Sequence, residues 1–367
     1  MSVMISLENV EKRYAGAAAP AVGDLTLEIE EGETVALVGP SGCGKTTTLK
    51  MINRLIEPTG GRIVLDGTNV LEQDPVQLRR GIGYVIQQTG LLPHRTIRQN
   101  IATVPNLVAW DDARISARID ELLNIFDLVP ELLDRYPAEL SGGQRQRVGV
   151  ARALAVDPPV MLMDEPFAAV DPIVRARLQD QFLDIQARLG KTIVFVTHDV
   201  DEAIKLSDRM AILNVGGVLE QFAPPETVLR EPANDFVREF VGAERGLKRL
   251  ALIKVGDIEV ENGPVVAPTA SADEARRVID AAGFGWVSVV AESELLGWVD
   301  RDELDGCVSV DEATPRPFSA YVTERDSLRQ ALDSIVTSRT AVAVVVSEGQ
   351  SDRGILTLER ISKEIVA

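Results

Sequence analysis

The 367-residue sequence predicts an α/β fold in two parts, a larger domain on a parallel sheet and then a smaller α/β repeat. Three observations predict it. The apolar run Thr34–Val38 leads directly into Gly39-Pro40-Ser41-Gly42-Cys43-Gly44-Lys45-Thr46, the order of a buried strand, a glycine loop and a helix start. Val160-Met161-Leu162-Met163 reads as a strand buried on both faces, ended by Asp164-Glu165. After Gly242 an α-β-β-α pattern occurs twice. The length suits two or three domains, and 45% apolar residues are enough to fill their cores.

The first of these segments matches the phosphate-binding pattern Gly-x4-Gly-Lys-Thr. Phosphate oxygens need several short-range donors, and bare amides reach them where no Cβ stands in the way, as at Gly42 and Gly44. A helix opening near Lys45 points its positive dipole end at the same anion. Lys45 adds a full charge for the β- and γ-phosphates, and Thr46 a hydroxyl for Mg²⁺. The expected nucleotide contacts run from Gly39 through Cys43 to Thr47.

Composition narrows the function. The formal charge is −18, spread over both parts without a Lys/Arg run, which argues against a nucleic-acid-coating surface or direct attraction to an anionic membrane. Two cysteines, Cys43 and Cys307, make neither a disulfide framework nor a zinc site. No signal-like segment or membrane-length apolar run is present, so a soluble intracellular protein is expected, with any membrane role exercised through a partner.

Asp164 and Glu165 fall at the carboxyl edge of the parallel sheet, where ligands of open α/β folds collect. Asp164 suits Mg²⁺ through a water, and Glu165 suits polarising an attacking water. Between the two elements lies Leu140-Ser141-Gly142-Gly143-Gln144, predicted to open a helix over Gln144–Val156. In this order the segments resemble the ATP-binding-cassette (ABC) ATPases, a P-loop NTPase family whose core carries a helical subdomain.

That resemblance covers residues 1–243, with the helical subdomain at about 91–158, and implies ATP and Mg²⁺ as ligands. Ser141, Gly142, Gly143 and Gln144 would cap the γ-phosphate held by the other subunit of a head-to-tail homodimer. Tyr14 resembles the residue that stacks on adenine. Gln87, followed by Gln88, resembles the loop glutamine that touches Mg²⁺ and hinges toward the transport partner. Asp171 follows Ala168-Ala169-Val170, where the family more often has Ser-Ala-Leu, so one cross-dimer hydrogen bond is missing at Ala168. His198, after the run Ile193–Thr197, resembles the switch histidine at the γ-phosphate. The other histidine, His94, reads as a structural loop residue.

Longer stretches are similar to one importer branch: Met51–Thr59, Ile82–Thr89 with Leu92-Pro93-His94, Ile193–Lys205, and Glu231–Val237 with Phe240-Val241-Gly242. These resemble the glycine betaine/carnitine/choline/proline osmoprotectant importers. The resemblance implies an ATPase at the cytoplasmic face of the membrane, held there by an integral permease and served by an extracytoplasmic solute-binding protein. An importer ATPase for another solute, such as an amino acid, and a non-transport nucleotide-regulated protein are the alternatives.

Residues 244–367 hold the repeat. One copy has a helix at Ala272–Ala282, strands at Trp286–Ala291 and Leu296–Val299, and a short helix near Asp302. The second has a helix at Ser327–Ser338, strands at Val342–Val346 and Gly354–Thr357, and a helix at Leu358–Ile365. The pair resembles tandem cystathionine-β-synthase (CBS) domains, which implies an adenine nucleotide in the tail. Two positions depart from that pattern: Asp300 stands where a hydroxyl belongs, and Arg360 replaces the ribose-binding carboxylate. A dimer-stabilising or ionic-strength-responsive tail therefore stays open. Trp286 and Trp298 read as core rather than as an aromatic cage.

Overall fold

The computed structural model describes residues 2–366 except 88–89, 169, 293 and 347–351. Gln88 and Ala169 thus lie outside the described residues. The chain divides into two compact units, 1–242 and 243–367.

In the first unit the strands are β1 (Val3–Lys12), β2 (Val22–Glu30), β3 (Thr34–Val38), β4 (Gly60–Leu65), β5 (Thr68–Asn69), β6 (Ile82–Val85), β7 (Val160–Asp164), β8 (Thr192–Val196), β9 (Arg209–Asn214) and β10 (Val218–Ala223). Among the described residues they form two sheets, ordered β2-β1-β4-β5 and β10-β9-β3-β8-β7-β6. The smaller is antiparallel where β1 meets β2 and β4. On β2 the alternation of Leu25, Leu27 and Ile29 (buried) with Thr26, Glu28 and Glu30 (exposed) gives one face to the core. In the larger sheet β3, β7 and β8 are buried at every residue, as central parallel strands must be. Their core includes Val35, Leu37, Leu49, Leu162 and Val194.

The sheet order matters because each of four neighbouring parallel strands delivers a different motif. The strands β3, β8, β7 and β6 lie side by side in parallel. Their carboxyl ends lead into the glycine loop, His198, the Asp164-Glu165 pair and Gln87 respectively. With strands about 4.8 Å apart, segments distant in sequence meet along one edge.

The helices of this unit are α1 (Lys45–Ile52), α2 (Pro75–Arg80), α3 (Ile97–Ile101), α4 (Thr103–Leu107), α5 (Asp112–Ile125), α6 (Gly142–Ala153), α7 (Pro172–Leu189), α8 (Val200–Leu206), α9 (Pro225–Arg230) and α10 (Asp235–Val241). Helix α6 begins two residues earlier than the sequence reading and ends three earlier. Ser141 accepts from the Gln144 amide while Gln144 reaches back to the Ser141 amide, a capping box that draws both glycines into the first turn. At the other end Leu154 caps the helix, and Asp157, with φ 55°, turns the chain ahead of Pro158.

The second unit contains α11 (Arg245–Arg249), β11 (Val265–Val266), α12 (Ala272–Ala282), β12 (Trp286–Ala291), β13 (Glu294–Asp300), β14 (Tyr321–Thr323), α13 (Leu328–Thr337), β15 (Val342–Val346), β16 (Asp352–Thr357) and α14 (Leu358–Val366). Two three-stranded sheets, β11-β12-β13 and β14-β15-β16, have the same plan: a short parallel strand, then an antiparallel pair. Trp286, Trp298 and Phe318 share one buried cluster with Val342, Val344 and Ile355. Phe318 meets Trp286 edge-on at 5.4 Å. Both indole N–H groups are satisfied, donating to the Thr340 and Pro317 carbonyls. These tryptophans are core.

Among the described residues no helix is long and apolar enough to cross a membrane.

Candidate nucleotide-hydrolysing site

The glycine loop wraps back on its own lysine. Lys45 is buried, and its Nζ donates to the Gly39 carbonyl at 2.7 Å and the Pro40 carbonyl at 2.9 Å. The Cys43 sulfur, fully buried, lies 3.7 Å from the same ammonium. Two glycines are required by packing. A Cβ on Gly39 (φ 149°) would stand 2.1 Å from the Leu213 carbonyl, and one on Gly44 (φ 102°) 2.5 Å from the Ala21 carbonyl. Only Gly42 faces open space, so the missing Cβ at Gly44 admits the Ala21 backbone rather than a phosphate.

Thr46, one residue into α1, donates to Asp164 Oδ1 at 2.9 Å, tying the loop to the end of β7. Burial pushes the Asp164 carboxyl up, while this hydrogen bond and the Lys50 and Lys45 charges pull it down. Burial likewise pushes Tyr84, on β6, up to about 12, helped by the Asp164 charge.

Glu165 is the focus of the edge. Its backbone is left-handed (φ 47°), and its amide donates to the Val196 carbonyl at the end of β8 at 3.0 Å. Gln87 Nε2 donates to its Oε2 at 2.8 Å, and His198 Nδ1 lies 3.5 Å from its Oε1. An open cavity of about 540 Å³ is lined by Ala21, Ser41, Gly42, Gly44, Lys45, Thr46, Thr47, Glu165 and His198. Tyr14 is 43% exposed, its hydroxyl 3.5 Å from Thr47 Oγ1 and its ring beneath the Lys12 ammonium at 5.4 Å. A half-exposed ring beside the loop offers a flat face for a base.

Not every expected residue lines this cavity. Ser141, Gly142, Gly143 and Gln144 form the first turn of α6 and its cap, outside the lining, with Ser141 and Gly142 exposed and Gly143 and Gln144 half-buried. Asp171 caps α7, accepting from the Ile173 amide at 3.0 Å, and is also outside it. Sequence reasoning missed Ala21, whose backbone supports the loop, and the Gln87–Glu165 bond. Ala21 carries no local signal, and the bond joins residues 78 positions apart.

The arrangement is that of a phosphoanhydride hydrolase: a cationic, amide-rich cradle facing a carboxylate set between a glutamine and a histidine. Residues 22–168 match the ABC transporter family model. The chain is 45% identical over 365 residues (98% of this chain, 95% of the relative) to an osmoprotectant import ATP-binding protein, OsmV, of Salmonella typhimurium. It is 56% identical over 307 residues (82% and 80%) to a glycine betaine/carnitine/choline transport ATP-binding protein, OpuCA, of Bacillus subtilis. A solved dimeric structure of the cassette MJ0796 in a post-hydrolysis state with ADP and Pi aligns at a TM-score of 0.54, with 34% identity, covering 60% of this chain and 98% of that one. This chain belongs to the ABC transporter family and is an ATP-binding, ATP-hydrolysing subunit.

Proposed function

We propose that this chain is the ATPase of an importer for quaternary-amine osmoprotectants of the glycine betaine, carnitine and choline type. The observation that carries the hydrolytic reading is the meeting of Lys45, Thr46, Glu165 and His198 in one cavity, with Gln87 bonded to Glu165. The solute class is supported by the names of relatives that align over most or nearly all of the chain.

In this reading the loop amides and Lys45 hold the triphosphate, and Tyr14 stacks on the base. Thr46 and Gln87 are the oxygen donors that would hold Mg²⁺ beside phosphate oxygens, with Asp164 reaching it through a water. Bound there, Mg²⁺ would supply charge to the phosphates. Glu165 accepts a proton from water as the new P–O bond forms in line, and the bond to the ADP oxygen breaks. His198 donates toward the γ-phosphoryl group. Catalysis is positioning and charge stabilisation throughout.

Ser141, Gly142, Gly143, Gln144 and Asp171 act in this reading on a nucleotide held by a second copy, in a head-to-tail homodimer. The exposure of Ser141, Gly142 and Asp171, and the place of all five outside this chain's own cavity, favour that role. The dimer works beneath a separate permease, at the cytoplasmic face of the membrane, with an extracytoplasmic solute-binding protein supplying the solute. The tail is a tandem CBS-like regulatory unit. Thr357 there is already engaged by Glu261, at 2.8 Å, and Arg360 by Glu364, which favours a structural or ionic role over an adenine nucleotide.

The test is uptake of labelled glycine betaine by cells carrying this chain with its permease and binding protein, against the same cells carrying Glu165→Gln. Betaine uptake lost in the variant is expected. Uptake of an amino acid but not betaine would overturn the solute class.

A further inference from the structure

The loop that carries His198 is held from behind by groups that the hydrolysis scheme does not use. Thr197 is buried after β8. Its Oγ1 donates to Glu202 Oε2 at 3.1 Å and accepts from the Asp199 amide at 3.0 Å. Asp199 in turn caps α8, accepting from the Asp201 and Glu202 amides at 2.9 and 3.2 Å. On its far side Asp199 lies 3.7 Å from the Arg175 guanidinium of α7, which donates to the Val170 carbonyl beside Asp171. Glu202 itself is 5% exposed, and its Oε1 has no partner. A buried carboxylate with one bare oxygen costs stability, and packing alone would favour an apolar side chain there.

We propose that Glu202 is a positioning residue for hydrolysis: its carboxylate holds Thr197, and Thr197 holds the His198 loop and the Asp199 amide, so that Asp199 keeps its place opposite Arg175 and residues 170–171. The proposal rests on the roles given above to Glu165 and His198. Three charged groups act on Glu202: Asp199 from the start of its own helix, Arg175 from α7, and Glu165 from the turn after β7. Burial pushes its carboxyl up to about 7, with the Thr197 hydrogen bond and Arg175 opposing. The ionised form accepts the Thr197 hydroxyl more strongly than the protonated form, so the clamp tightens as pH rises through that region.

The experiment is steady-state ATP hydrolysis by the full-length chain with MgATP, from about pH 6 to about pH 8, for wild type, Glu202→Gln, Thr197→Val and the double variant. Glu165→Gln and thermal melting are run beside them. The expected result is a kcat about tenfold lower for Glu202→Gln at the alkaline end, with KM for ATP unchanged and a shallower rise of kcat with pH. Thr197→Val should match it, and the double variant should be no worse than either. Glu202→Gln should melt no lower than wild type, which separates mispositioning from misfolding. A Glu202→Gln enzyme with wild-type kcat and pH profile overturns the proposal, and so do fully additive effects of the two substitutions. Wild-type turnover by Glu165→Gln would instead overturn the hydrolytic reading on which it rests.

Discussion

Gln87 donates a 2.8 Å hydrogen bond to Glu165, joining the loop after β6 to the residue that follows β7. The amide takes one carboxylate oxygen and leaves the other toward His198. Glu165→Gln should therefore keep ATP binding and lose roughly 10²–10⁴-fold in kcat, accumulating as a nucleotide-bound dimer. Gln87→Ala should lower kcat far less, by about tenfold, because it frees the carboxylate's orientation without removing it. Single-turnover hydrolysis checks both.

Tyr14 should be felt in binding and not in chemistry. Tyr14→Ala is expected to raise KM for ATP on the order of tenfold with kcat nearly unchanged, and Tyr14→Trp to restore KM. Titration with a fluorescent ATP analogue measures the loss directly.

Gly39 offers the sharpest backbone test. A methyl there meets the Leu213 carbonyl at 2.1 Å and keeps a φ of 149° that an L-residue resists. Gly39→Ala should distort the cradle, abolish measurable ATP binding and destabilise by about 1–3 kcal/mol. Gly42→Ala, with open space around its Cβ, should fold more nearly like wild type. Calorimetric binding and melting curves separate the two.

The raised Glu202 carboxyl also makes a stability prediction with a definite sign. Its folded value of about 7 lies above the unfolded one, so the folded chain binds an extra proton between them. Its contribution is fully present below the unfolded value and is lost as pH rises toward 7. Glu202→Gln should therefore gain stability over wild type from about pH 4.5 upward and level off above 7, by up to about 3 kcal/mol. Denaturant unfolding at several pH values reads the difference.

In the tail, Phe318 lies between Trp286 and Trp298 and is 4% exposed. Phe318→Ala should cost about 3–5 kcal/mol and shift tryptophan emission to the red. ATP hydrolysis by residues of the first unit is expected to survive at temperatures where the tail is native.

The elements that sequence resolved were those with strong local chemistry. The runs 34–38, 160–163 and 193–197 stood out because central parallel strands are apolar on both faces, and the residues that follow each of them line the cavity. The two repeat strands at 286–291 and 342–346 were legible for the same reason. Strands β11 and β14, with two and three residues, are too short to show a period, so each copy looked like α-β-β-α without its leading strand. The alternation on β2 was there to be read and would have announced the second sheet. At the site, the loop, Asp164-Glu165 and His198 were visible as motifs. The Gln87–Glu165 bond and the approach of the Ala21 carbonyl to Gly44 depend on which segments are neighbours in the fold, and no local pattern encodes that.

The left-handed backbone at Glu165 has a thermal consequence. A non-glycine residue at φ 47° is strained by about 1–2 kcal/mol, and here the strain is offset by the amide bond to Val196 and the side-chain bond to Gln87. Warming that breaks the Val196 and Gln87 bonds should let Glu165 relax toward ordinary backbone. The expected consequence is a loss of hydrolysis that sets in below the melting temperature of the first unit and reverses on cooling, read by assaying activity and unfolding along the same temperature ramp.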